Sequence, residues 1–185
     1  MKNMRRKSNR KIKEVFYVEL RLAGAVPLFV QPLIQRKMLD GLKWCCEKRG
    51  LRIYDYSLMP DRILMIANTA WGSLPDVLQT YKDFSSKAVM LILRNGRANL
   101  QTSWMLSVFQ EHGPKGKPEG IHIWEEEAFM QSLFKQDDID EMSLKIQNRA
   151  VEMGFVEKPE HYLNCSANPR NPLSGWIVEA TDPWS

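Results

Sequence analysis

Apolar positions along this chain recur at two periods, and each change of period marks an element. Residues 15–23 (Val-Phe-Tyr-Val-Glu-Leu-Arg-Leu-Ala) are rich in β-branched and aromatic types and alternate in their second half, which predicts a first strand. Gly24 to Pro32 reads as a turn region. From 33 to 49 the apolar groups return at Ile34, Met38, Leu42 and Cys45, with Arg36, Lys37, Asp40, Lys43 and Lys48 elsewhere. That spacing predicts an amphipathic helix, stopped by Gly50. Strands are predicted over 51–58, with Tyr54, Tyr56 and Leu58 on one side, and over 62–68, the two forming a hairpin around Pro60. Ser73-Leu74-Pro75-Asp76 reads as a helix start, with Ser73 as N-cap. The helix runs to about Arg94, burying Val77, Tyr81, Ala88 and Leu91 or Ile92, and ends at Asn95-Gly96.

The order so far, strand, helix, strand, strand, helix, is the start of a ferredoxin-like split β-α-β layout. Downstream, Leu100 to Val108 suits a short helix, and Gly113 to Gly120 is a loop rich in Gly and Pro. Ile121 to Trp124 is a short apolar stretch, and Glu125 to Glu127 reads as an acidic helix start favoured by the helix dipole. A further helix begins near Asp137 or Asp138, carries Ile139, Met142, Ile146, Ala150 and Met153 on one face, and is closed by Gly154. Residues 175–180 (Gly-Trp-Ile-Val-Glu-Ala) predict a last strand at an edge.

Composition and charge narrow the setting. With 44% hydrophobic and 26% charged residues, the 185-residue chain is long enough for one domain with its own core. Net charge is +4, but residues 1–13 carry seven Lys or Arg (Lys2, Arg5, Arg6, Lys7, Arg10, Lys11, Lys13) and no acid; 4 less 7 leaves −3 for the rest. A basic arm over 1–13 and a single domain over 14–185 are therefore expected. Such an arm suits phosphates, although a solubilising tail has the same composition. Three cysteines, with Cys45 and Cys46 adjacent, make no disulfide framework and point to a reducing, cytoplasmic setting. The apolar runs at 23–30 and 88–93 are too short to span a bilayer. Glu14, Glu19 and Arg21 interrupt any signal-peptide core behind the arm, so no membrane partner is expected.

The most specific stretch is Ser57-Leu58-Met59-Pro60-Asp61-Arg62-Ile63-Leu64-Met65-Ile66. Pro60 fixes its own φ and pushes Met59 toward extended geometry, so the corner is well specified. Beyond it Arg62, Leu64 and Ile66 share one strand face, and Ile63 and Met65 the other. The stretch resembles the Met-Pro-Asp-His-hydrophobe-His-hydrophobe signature of the HUH tyrosine transposases, which act on single strands, and especially of their REP-associated branch. Tyr81-Lys-Asp-Phe-Ser-Ser-Lys87 resembles that family's Lys-x-Phe-Thr-Ser-Lys helix, and Ile121 to Trp124 its hydrophobe-Trp segment. Ile146-Gln-Asn-Arg-Ala-Val-Glu-Met-Gly-Phe-Val-Glu-Lys-Pro-Glu-His-Tyr162, followed by Ser166-Ala167, resembles its Tyr-Ile-His-Asn-Asn-Pro-Val-x-x-Gly-hydrophobe-Val-x-x-Pro-Glu-x-Tyr and Ser-Ala. Order and spacing agree over about residues 15–180.

The resemblance implies an α+β fold: a ferredoxin-like split β-α-β antiparallel sheet with helices on one face, plus C-terminal helices and a short last strand. It also implies a site. In the family two histidines on the strand hold a divalent metal against a DNA phosphate, and a helix tyrosine attacks that phosphate and keeps the strand end covalently. Here the matching strand positions are Arg62 and Leu64. Lys145-Ile146-Gln147 stands where some relatives have Tyr-Ile-His, and no tyrosine occurs between Tyr81 and Tyr162. Metal ligands and nucleophile are absent together, which favours a degenerate copy with no catalytic residue, no metal and no cofactor.

The reading that results is a catalytically inactive, transposase-like protein that recognises hairpin or single-stranded DNA. The arm, Arg62, Lys82, Lys87, Lys115 and Lys117 are its expected phosphate contacts. A guanidinium at 62 can take a phosphate bidentately, and it can equally be a strand-end arginine. Trp104 and Trp124 fall near the loop lysines and could stack on unpaired bases, although core packing explains most tryptophans. His112, His122 and His161 show no metal-ligand spacing and read as loop or surface histidines. Two other classes stay open. One is a protein-interaction or accessory subunit on the same fold, with a protein partner in place of DNA; the other is an active nickase or transposase with a relocated site.

Overall fold

The computed structural model describes residues 14–95, 103–112, 122–181 and 183–184. The arm and the loop lysines 115 and 117 lie outside these residues. Strand β1 (Val15–Arg21) is followed by two 3-10 turns and helix α1 (Pro32–Arg49). Strands β2 (Leu51–Leu58) and β3 (Arg62–Thr69) form the expected hairpin, and helices α2 (Leu74–Arg94) and α3 (Ser103–His112) come next. Strand β4 (Phe129–Leu133) and helix α4 (Gln136–Glu152) complete the regular elements. The sheet order is β2-β3-β1-β4, and every pair is antiparallel. That is the α+β, ferredoxin-like arrangement the element order implies.

The sheet is buried on both faces. Val18 and Leu20 of β1 and Ile63 and Met65 of β3 pack with Ile34, Met38, Leu42 of α1, Val77, Tyr81 of α2 and Phe109 of α3. On the other side Val15 and Tyr17 of β1 and Leu64 and Ile66 of β3 meet Ile139, Met142, Ile146 and Ala150 of α4. The predicted helix face on α4 is thus correct except for Met153, which is half exposed. On α2 the buried choices are Val89 and Ile92, while Leu91 points outward. No helix among the described residues is long and apolar enough to cross a membrane.

Three expectations change. The acidic run Glu125–Glu127 starts no helix; it is a bend that delivers the chain to β4. Residues 175–180 are not the last strand. Only Ile177 bridges to Ile53 at the outer edge of β2, and Val178 N–H donates to the Ile53 carbonyl at 2.9 Å. Tyr54 does not share a side with Tyr56. The β2–β3 register steps from Ile53↔Ala67 to Asp55↔Ile66, so Tyr54 is the extra residue of a β-bulge. Tyr54 therefore packs with the α4 side while Tyr56 and Leu58 stay under α1 and α2.

The stop after α1 has a measurable consequence. Gly50 sits in the left-handed region (φ +73°), and an added Cβ would lie 2.8 Å from the Trp71 indole. Gly50→Ala should therefore lose about 1–3 kcal/mol of stability, from backbone strain and a displaced indole together. A urea midpoint equal to that of the unaltered protein would show that Trp71 swings away without cost.

Candidate functional site

The Met-Pro-Asp corner is fixed by its backbone. Met59 N–H donates to the Arg62 carbonyl at 2.9 Å, closing a tight hairpin over Pro60 and Asp61. Leu22 N–H donates to the Asp61 carbonyl (2.8 Å) and Phe29 N–H to the Pro60 carbonyl (2.9 Å), which dock the corner on the segment after β1. The first residue of β3 is thereby held beside the last of β1, with Arg62 opposite Arg21 and Leu64 opposite Glu19. These four side chains share the α4 face of the sheet, because alternate residues of a strand point the same way.

A cavity of about 340 Å³ opens there, lined by Tyr17, Glu19 and Arg21 of β1, Arg62 and Leu64 of β3, Phe129 and Gln131 of β4, and Lys145 and Arg149 of α4. The three positions singled out from the sequence, Arg62, Leu64 and Lys145, thus meet in one place, with 145 on the helix that faces the strand. Leu64 is buried and belongs to the core. Lys145 is exposed, its ammonium 5.6 Å from the centre of the Tyr17 ring, within cation–π range.

Glu19 organises the charges. Its carboxylate accepts from Arg62 Nη1 (2.7 Å), from Arg21 Nε (2.9 Å) and from Arg21 Nη2 (3.1 Å). Burial alone would raise its pKa, but the hydrogen bonds from Arg21 and Arg62 outweigh burial and hold it below the ordinary glutamate range. Arg62 also gives Nε and Nη2 to Asp61 Oδ1 (3.0 Å) and Oδ2 (2.7 Å). Hydrogen bonds to Asp61, and then to Glu19, keep the guanidinium charged well beyond its already high pKa. Three of its five N–H donors are spent on these acids. Four cations line the cavity; Glu19 and Asp61, and Glu152 on Arg149 (3.1 Å), offset three of them, which leaves one positive charge in favour of an anion. The Tyr17 hydroxyl is pushed up, first by burial and then by Glu19, so it keeps its proton at neutral pH.

The donor set does not suit a divalent cation. Positions 62, 64 and 145 offer a guanidinium, an aliphatic chain and an ammonium, and both nearby carboxylates are bound to Arg62. Among the described residues, no three His, Cys, Asp or Glu side chains gather as metal ligands would.

Other sequence candidates lie elsewhere. Lys82 is buried and donates to the Glu126 carbonyl at 2.6 Å, so it ties α2 to the bend before β4 and cannot reach a phosphate. Lys87 is exposed on α2, the helix that covers the other face of the sheet. Trp124 is not a stacking surface: it is fully buried between Phe29 and Tyr81, its indole N–H bound to Ser85 Oγ at 2.8 Å. Trp104 is exposed on α3. Tyr162 gives its hydroxyl to the Leu58 carbonyl at 2.9 Å, and burial pushes its pKa up to about 12.

Tyr17, Glu19, Arg21 and Arg149 belong to the site and escaped the sequence reading. The available signal was Glu19-x-Arg21, two charges at strand period inside an otherwise apolar β1, on the same face as Tyr17. Arg149 follows Lys145 by four residues, hence on the same side of α4.

No protein-family profile matches the sequence, and no curated protein sequence does. Solved structures do match. A REP-associated tyrosine transposase bound to a REP hairpin aligns with a TM-score of 0.55 at 15% identity, over 98% of this chain and 94% of that one. A candidate transposase from Deinococcus radiodurans R1 aligns over 80% of this chain and 98% of that one, at 14% identity and a TM-score of 0.46. At such low identity the likeness speaks for architecture: the chain has the fold of a REP-associated tyrosine transposase.

Proposed function

We propose that this chain is a transposase-fold DNA-binding protein that holds a single-stranded or hairpin end by its phosphates and does not cut it. The observation that carries the reading is the cavity itself. Where the resemblance implies metal ligands and a nucleophile, this chain places Arg62, Leu64 and Lys145, with Arg21 and Arg149 beside them. Guanidinium and ammonium groups neutralise a phosphate without activating a nucleophile against it. The solved relative that shares the fold is bound to a hairpin, which favours the same ligand class here. The arm would add backbone contacts that read no sequence. Burial raises the Cys45 and Cys46 thiols to about 11 and about 12, which suits inert cysteines in a reducing cytoplasm.

Binding of a hairpin-tipped single strand, followed by fluorescence anisotropy against salt, tests the reading. Lys145→Ala with Arg149→Ala removes two cations from the cavity side of α4. Affinity should fall, and the slope of log K against log salt should flatten by about 0.7 per lost contact. Deleting residues 1–13 should weaken binding to all sequences alike and flatten the slope further. Unchanged affinity and slope in both variants would refute phosphate holding at this site.

One observation favours a protein partner. Trp44 of α1 and Phe84 of α2 are both exposed and stack at 6.2 Å with their planes 14° apart. Exposed aromatics of this kind anchor interfaces. If that patch is the working surface, Trp44→Ala should abolish partner capture and leave DNA binding untouched.

A further inference from the structure

We infer that the hollow beside the Pro60 corner, with Phe155 as its platform, is a seat for one unpaired nucleobase. The inference rests on the phosphate-holding reading and adds what lies next to the phosphate. A second hollow of about 180 Å³ adjoins the charged cavity, and the two share Arg62 and Arg149. Its remaining lining is mostly apolar, with Met59, Pro60 and Pro27 on one side and Met153 and Phe155 on the other. Phe155 and Met153 are each about half exposed, so a ligand can reach both.

Phe155 is held in place from two directions. Gly154, with φ +71°, turns the chain at the end of α4, and Phe155 N–H donates back to the Ala150 carbonyl at 2.9 Å. This is the left-handed helix stop that only glycine adopts without strain. The ring itself stacks on Tyr162 at 6.4 Å with planes 25° apart, and Tyr162 is tied to the Leu58 carbonyl. A fixed aromatic ring is a stacking platform that costs little ordering on binding.

The pairing of the two hollows identifies the occupant. A flat apolar group must sit in one while an anion sits in the other, with arginines at their boundary. A nucleotide joins those two units by a short linker. An apolar peptide side chain would fill the first hollow and bring no anion to the remaining positive charge of the second. A duplex would offer phosphates but keep its bases stacked inside.

The test uses the full chain, a hairpin oligonucleotide with a single-stranded tail, and a blunt duplex of the same length. Phe155→Ala should weaken the tailed oligonucleotide by about five- to 150-fold, the range that one base on one aromatic ring supplies. It should leave the duplex and the salt slope unchanged, because no charge is lost. Phe155→Trp should restore affinity, and its added tryptophan emission should be quenched by the tail and not by the duplex. That second variant keeps an aromatic ring against Tyr162, so it reports even if Phe155→Ala fails to fold. If the unaltered protein binds with the expected salt slope but the tryptophan at 155 is neither quenched nor needed, the base seat is wrong and phosphate holding stands. If the unaltered protein binds neither oligonucleotide, both fall together.

Discussion

Asp55→Ala should lower the unfolding free energy by about 2–4 kcal/mol, the largest single-residue loss expected outside the apolar core. The β-bulge at Tyr54 turns the Asp55 side chain toward α4, where it is buried. Its carboxylate accepts from Ser143 Oγ and Gln147 Nε2 of α4, the latter at 2.8 Å, and from Ser166 Oγ of the segment after α4. One acid thus joins β2, the helix on the site face and the C-terminal segment. Ala at 55 takes the carboxylate from three donors, of which, among the described residues, only Ser166 has another acceptor, the Tyr56 carbonyl at 3.1 Å, and leaves a small void besides. The pH dependence follows from the direction of the shift. Burial raises Asp55, and the bonds from Ser143, Ser166 and Gln147 offset only part of that rise. The folded state therefore holds this proton more tightly than the unfolded chain does. Stability from this group is greatest below the ordinary aspartate range and declines as pH rises through the raised value. The gap between the unaltered protein and Asp55→Ala should accordingly narrow with rising pH and then level off. Urea midpoints at several pH values measure it. A loss below about 0.5 kcal/mol would mean that water replaces the carboxylate for all three donors.

Glu19 should behave in the opposite sense, since its folded pKa is lowered: its contribution is present above the unfolded pKa and is lost as pH falls through the folded value. The two acids sit on the same face of one sheet, but Asp55 is the more deeply buried and their partners differ. Arginines surround one, and neutral donors surround the other.

How much of this was legible in the sequence depended on periodicity. Helix α1, strands β2 and β3 and the buried face of α4 repeat cleanly, and their bounds fall within a few residues of expectation. Strand β4 does not: Phe-Met-Gln-Ser-Leu is an edge strand with one covered neighbour, and no strict alternation is imposed on it. The bulge at Tyr54 leaves no mark in the pattern, because both Tyr54 and Tyr56 find apolar surroundings, on opposite faces. In the site, a linear motif pointed to 62, 64 and 145. Glu19 and Arg21 reach them only through the pairing of β1 with β3, more than forty residues away along the chain. Lys82 was misread for a related reason. A lysine in a helix motif looks solvated until the carbonyl that receives its ammonium, here Glu126, is known.

Arg62→His with Leu64→His should not restore strand cutting, and the same pair with Lys145→Tyr should. Histidines at 62 and 64 would share one strand face. Removing the guanidinium would also free Asp61, while Arg21 keeps hold of Glu19, so Mn²⁺ binding is the expected gain of the double variant. The nucleophile would still be missing. Tyr81 is buried on the opposite side of the sheet, its hydroxyl donating to the Met38 carbonyl at 3.2 Å. Tyr162 is bound to Leu58, and Tyr17, although it lines the cavity, stands on β1 and not on the helix that faces the strand, with burial and then Glu19 raising its hydroxyl above an ordinary tyrosine. Metal-bound water could at most hydrolyse slowly and would leave no protein–DNA adduct. Position 145 lies across the cavity from 62 and 64 on a helix whose neighbours Ile146 and Met142 are core, so a tyrosine there needs no change of backbone. Placing histidine at 64 buries an imidazole and should cost about 2–3 kcal/mol, which thermal unfolding with and without Mn²⁺ will register. Each variant is incubated with hairpin-tipped single-stranded DNA and Mn²⁺ and run on a denaturing gel. An adduct from the double variant that disappears with Tyr17→Phe would place a usable nucleophile on β1 and overturn the inactive reading. An adduct from the triple variant alone, lost with Phe at 145, would show that the cavity keeps the geometry for cleavage and lacks only the groups. No adduct from either would mean that α4 does not present residue 145 to a strand bound over β3.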